Sequence, residues 1–205
     1  MCNIENKIKD EELLKFLKFS YFGTLTNLKE ATANRAYRDM CRTIRFDGLC
    51  EDSRLNLKIE VNSELITKIE NLAENFDTWH KEVCNLIVEK YKDHGIKLTY
   101  GQAQKWVNMT IKYLYILNEH TFDNVFDFLH IPVDNYIFKA AKEKLGIDNP
   151  KKPWSKLDET EYFEYQKAIR EKLKEKIREK IDIDTPPLLW EFKNWLEVAK
   201  GNNKN

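Results

Sequence analysis

Two charged residues sit in the most apolar company this chain offers. Lys105 ends the run Gly101-Gln-Ala-Gln-Lys105, where a stretch from Ala103 to Leu117 begins that is apolar almost all round. Asp134 closes Ile131-Pro-Val-Asp134. A helix that is apolar on every side is normally internal. A lysine there snorkels to water, pairs with an acid, or works as a neutral amine. In the last case the chemistry is nucleophilic: the amine attacks an electrophilic carbon and leaves a Schiff base. A nearby carboxylate stabilises developing positive charge and carries protons. Each residue has a plainer reading too. Gly101, Lys105, Asn108 and Lys112 fall on one helical face that could simply be solvated, and an Asp after Pro-Val is often the N-cap of the next helix.

The elements that must hold this pair can be laid out along the chain. Acidic residues open an apolar-periodic helix at 10–19, and SYFGTLTN breaks it at Gly23 and Asn27. A second helix is expected from Leu28 to about Phe46, ended by Asp47-Gly48. Leu55, Leu57, Ile59 and Val61 alternate with polar residues, the pattern of a half-buried strand. Ser63 then caps a short helix to about Asn75. Asp77 caps the next helix, and Gly95 suits the left-handed position that closes it. Thr99 caps the apolar helix, so helix, short turn and helix make a hairpin in the literal sense. A further helix covers 135–145 and stops at Gly146. Asp158 with Glu161 forms a capping box for a helix to about Lys180. Pro186-Pro187 opens a last helix bearing Trp190 and Trp195, and 201–205 read as a frayed tail. The expectation is an all-α domain over 1–200, with one short strand pair as an option.

Composition bounds the function classes. Apolar residues make up 42% and charged residues 33%, with six Gly and five Pro, which fits a folded helical chain. Lys+Arg and Asp+Glu are 34 each, so nucleic acid would have to be held by a local basic patch. Cys2, Cys41, Cys50 and Cys84 lack the close spacing of a zinc or iron–sulfur site, so free thiols, no metal and no cofactor are expected. The opening MCNIENKIKDEE carries no apolar signal core, and no run reaches the roughly 18 apolar residues of a membrane span. An intracellular, cytoplasmic monomer without a membrane partner is the expectation.

The order hairpin, Gly-x-x-x-Lys, spacer, Ile-Pro-Val-Asp, carried by GQAQK (101–105) and IPVD (131–134), resembles the helix-hairpin-helix DNA glycosylase superfamily. The likeness is closer to its archaeal 8-oxoguanine glycosylase branch, which has a Gln-Lys pair opening the helix, a second lysine further on and a longer spacer. Gln104-Lys105, Lys112 and Asp134 match that arrangement. The sequence departs from the family in having GIKLTYG in place of the Leu-Pro-Gly-Val-Gly hairpin, Asn135 after the aspartate, and no four-cysteine cluster. The resemblance implies a two-lobed helical domain with its hairpin and catalytic core at about 77–146. It also implies a base-excision-repair DNA glycosylase, with AP lyase activity open, acting on double-stranded DNA with an oxidised or modified purine. Lys105 would be the nucleophile and Asp134 its carboxylate.

DNA contacts have two candidate sources. Arg35, Arg38, Arg42 and Arg45 are spaced for one helical stripe, either a phosphate track or pairing with Asp39 and neighbouring acids. The hairpin offers Lys97, Thr99 and the amides of Gly101 and Gln102 at a helix N-terminus. A flipped base would be walled by aromatic or apolar side chains. Trp106, Asn108, Lys112, Trp154 and Trp190 are the pocket candidates; Tyr113, Phe138 and Trp195 are further aromatics not separable from core. His80 and His130 are read as structural before catalytic. The rival class is a non-catalytic DNA- or protein-binding helical module on the same scaffold, with both lysines ion-paired. An unrelated interaction protein would show no salt-steep DNA affinity.

Overall fold

A computed structural model describes residues 10–23, 26–72, 75–178 and 185–202, and these are carried by eight α-helices. They are α1 (Asp10–Phe22), α2 (Leu28–Cys41), α3 (Glu51–Glu70), α4 (Phe76–Asp93), α5 (Tyr100–Leu117), α6 (Asn135–Leu145), α7 (Glu159–Arg178) and α8 (Pro187–Asn202). Single 3-10 turns stand at Phe126–Phe128 and Trp154–Lys156. The class is all-α, and no strand occurs among the described residues. The opening residues 1–9, the end of the helix expected to reach Lys180, and 203–205 lie outside the described residues.

Local chemistry explains most helix ends. Thr99 and Gln102 form a reciprocal capping box on α5, and Asp158 and Glu161 form another ahead of α7. Gly95 (φ 75°) and Gly146 (φ 67°) take the left-handed positions after α4 and α6. Several boundaries differ from expectation: α1 runs on to Phe22, and Ser63 caps nothing, lying inside α3, which ends at Glu70. Asn75, not Asp77, caps α4, because the Asp77 carboxylate is occupied by His130 and Arg170. Helix α2 ends at Cys41, with Arg42 as its C-cap. Helix α8 continues through Asn202.

The expected strand at 54–61 is the first half of α3. Leu57, Val61, Leu65 and Ile69 recur every fourth residue and are buried, while Leu55 and Ile59 remain 47% and 45% exposed. The second stripe produced the apparent alternation.

Helix α5 is the axis of the fold, packed on α2, α4 and α7, with α6 set against α7 and α8. Trp106 is fully buried and donates its indole N–H to the Ala33 carbonyl and Asn62. Gly101 lets α5 meet the 154–157 turn. Its N–H donates to the Leu157 carbonyl (2.9 Å), and an added Cβ would stand 2.0 Å from the Trp154 carbonyl oxygen. Gly101→Ala is therefore expected to lower stability by about 3 kcal/mol, at the top of usual overpacking costs. The measurement is a lower urea midpoint at unchanged slope; a wild-type midpoint would show that the turn yields freely.

Beneath α5 lies a buried polar network. His130 meets Tyr162 through Nδ1 (2.8 Å) and Asp77 through Nε2 (3.0 Å). His80 meets Tyr100 and Asn108. Burial lowers the His130 pKa to about 4, outweighing the pull of Asp77, and pushes His80 down as well. A histidine neutral when folded and titrating near 6.5 when unfolded binds fewer protons in the native state, so stability is full above pH 6.5 and falls as pH drops toward 4. Between pH 7 and 5, His130 alone is expected to cost about 2 kcal/mol. A urea midpoint unchanged over that interval would contradict the assignment.

Candidate active site

Helix α5 turns its Lys105, Met109, Lys112 and Tyr113 toward a cleft of about 400 Å³. That volume lies in the usual range of small-molecule sites. The far wall is the start of α6 (Asp134, Asn135, Tyr136) and α8 (Glu191, Trp195). Trp154 closes one side, and Tyr21, Arg35, Asp39 and Arg42 the other. Four cations against three carboxylates leave the cleft net positive.

Asp134 is reached from the IPVD segment, which delivers it as the N-cap of α6. One carboxylate oxygen accepts the Ile137 N–H (3.0 Å). The other accepts Lys105 Nζ at 2.7 Å and the Trp195 indole N–H at 3.2 Å. Both expected roles, helix cap and partner of the lysine, thus coexist in one side chain. Burial opposes ionisation of Asp134, but Lys105, the Ile137 amide and Trp195 outweigh it and hold the carboxyl below the usual aspartate range. Lys105 is buried, its side chain 7% exposed, yet ion-paired rather than a lone desolvated amine against Trp106.

Two turns on, Lys112 forms a second ion pair, with Nζ at 2.6 and 2.9 Å from the two Glu191 oxygens. Its ammonium stands 4.5 Å from the Phe192 ring centroid and 5.7 Å from that of Trp195. Burial raises the Glu191 pKa against the pull of Lys112 and Lys105. At the outer rim Arg35 stacks over Tyr21 (3.9 Å) and approaches Asp39 (3.4 Å). Its Nε has no partner among the described residues.

The expected residues divide between this cleft and elsewhere. Lys105, Asp134, Lys112, Trp154, Arg35 and Arg42 line it. Trp106, Asn108 and Trp190 do not, and their assignment to a base pocket is corrected. Trp106 is core, Trp190 is buried, and Asn108 faces the interior, bonded to Gln104, Ile131 and Tyr162. The four-arginine stripe is also broken, since α2 stops before Arg42, and Arg45 lies exposed in the irregular segment that follows; Arg38 is exposed on α2. Arg35 satisfies the pairing alternative through Asp39.

At the hairpin, Lys97 is exposed. Phosphate gripping by the Gly101 and Gln102 amides is overturned, because the first donates to Leu157 and the second to Thr99 Oγ1. The Thr99 hydroxyl donates to the Ser155 carbonyl, and the Gln102 side chain is spent on Thr99 and Thr43. Trp195, Glu191, Tyr136 and Met109 were missed as site residues. Trp195 stood among the aromatics not separable from core, and nothing local told which of Trp190 and Trp195 faces the cleft.

No three His, Cys, Asp or Glu side chains converge as a metal site among the described residues. Likewise no described helix is long and apolar enough to cross a membrane. A scan against protein-family models and searches of curated proteins and of solved structures returned no match.

Proposed function

We propose that this chain is a DNA glycosylase that removes an oxidised or otherwise modified purine through a lysine Schiff base. The observation that carries the reading is the 2.7 Å contact of Lys105 Nζ with Asp134 inside one aromatic-walled, net-positive cleft. The target nucleotide leaves the duplex, as chemistry on a base requires, and enters a cleft lined by Tyr136, Trp154 and Trp195. Arg35 and Arg42 at the rim meet backbone phosphate. Asp134 first takes one proton from the Lys105 ammonium; the neutral amine then attacks C1′ of the deoxyribose, the Nζ–C1′ bond forming as the glycosidic C–N bond breaks. The base leaves with the electron pair and takes the proton that Lys105 surrenders, with Asp134 as carrier. The second Nζ proton passes to O4′ as the C1′–O4′ bond breaks and the ring opens, leaving a protonated Schiff base, from which loss of a C2′ proton expels the 3′-phosphate.

The test is borohydride trapping on duplexes that each carry one oxidised, deaminated or alkylated purine. A reduced protein–DNA adduct with at least one lesion is expected; base release without strand cleavage or adduct would place the chemistry on Asp134 and water instead. A second reading, a non-catalytic DNA- or protein-binding module, is favoured by one specific observation: both Lys105 and Lys112 rest in ion pairs. Equal duplex affinity and no base release in wild type and Asp134→Asn alike would select it.

A further inference from the structure

The segment leading into Asp134 has no neighbouring strand among the described residues, yet its backbone is paired as though it had one. Gln104 in α5 donates from Nε2 to the Val133 carbonyl (3.1 Å) and accepts the Val133 N–H on Oε1 (3.2 Å). Two residues earlier Gln166 in α7 treats Ile131 the same way, accepting its N–H (3.3 Å) and donating to its carbonyl (2.8 Å). Alternate residues of an extended chain present both backbone groups to one side, as in an antiparallel ladder. Here two side-chain amides stand in for the missing partner. Both are fully buried, at 0% and 1% exposure, and neither lines the cleft. Asn108 locks the first by donating to Gln104 Oε1 (3.0 Å). A buried amide is costly unless fully bonded.

We propose that Gln104 and Gln166 are positioning residues: their amides fix the backbone of residues 131–133 and so hold the Asp134 carboxylate against Lys105 Nζ. The α6 cap alone would not do this. The Ile137 N–H engages one carboxylate oxygen, while the direction of the other follows the backbone that enters the helix. The placement of the carboxylate stands on geometry alone; its kinetic consequence rests on the glycosylase reading.

Gln104→Met keeps the volume and removes both bonds to Val133. Carboxyl ¹³C NMR titration of Asp134 and single-turnover borohydride trapping against duplex affinity are the readouts. Helicity and duplex Kd are expected to hold, the Asp134 titration to move up toward ordinary aspartate, and adduct formation to slow about 100-fold, the cost of ångström-scale misplacement. An unchanged Asp134 titration in folded variant overturns the proposal, whatever the kinetics. Should Gln104→Met not fold, Gln166→Met is read in the same way, and must move the titration in the same direction by less. If wild type yields no adduct with any lesion, the glycosylase reading falls, and the titration alone decides the positioning role.

Discussion

Lys105→Ala should form no borohydride-trapped adduct and lose on the order of 10³-fold or more in single-turnover base release, because on the glycosylase reading it removes the attacking group itself. The substitution also has a structural cost. Asp134 would keep the Trp195 and Ile137 N–H groups but lose its counter-charge, and removing one partner of a buried pair typically costs 3–5 kcal/mol. Lys105→Gln is the cleaner variant, since it returns a hydrogen-bond donor to the carboxylate without a nucleophile. The expected result is folded protein with near-wild-type duplex affinity and no adduct. An adduct of undiminished yield would move the nucleophile to another amine, with Lys112 as the one already in the cleft.

Asp134→Asn separates the two jobs of that residue. Asparagine caps a helix as well as aspartate does, so the Ile137 contact and the start of α6 should survive. What cannot survive is the acceptor for two donors, because an amide that offers its oxygen to Ile137 turns its NH₂ toward Lys105 and Trp195. Base release is expected to fall by about 10² to 10³-fold, the range usual for loss of one general acid–base or electrostatic group, and the thermal midpoint to fall with it, because Lys105 is left buried without its counter-charge, a loss of about 3 kcal/mol. Rates close to wild type would reduce Asp134 to a helix cap. Asp134→Ala, which loses cap and charge together, should add a stability loss of about 1 kcal/mol.

How far the chain can be read without coordinates depends on how local each cause is. The Thr99 cap, the turn at Gly95, the stop at Gly146 and the Asp158–Glu161 box are set by contacts within a few residues, and they stand where the residue types place them. The 54–61 segment failed because eight residues cannot distinguish alternation from two helical stripes; only the continuation to Leu65 and Ile69 reveals the four-residue period. Within the cleft, Lys105 and Asp134 were legible as an unusual amine and acid, whereas their meeting depends on the 131–133 segment running back along α5. Asn108 was placed with the lysines by helical spacing, but the polar network beneath α5 claims it. Trp195 and Glu191 lie on α8, beyond two further helices, and the rotation of α8 about its axis is a property of packing against α6 that no short window contains.

Gln104 and Lys105 are consecutive residues of one long, buried helix. When thermal motion tilts or slides that helix against its neighbours, the side chain that grips the acid's backbone and the one that offers the amine travel as a unit. The spacing between amine and acid is thereby insulated from small shifts of α5 against the rest of the bundle.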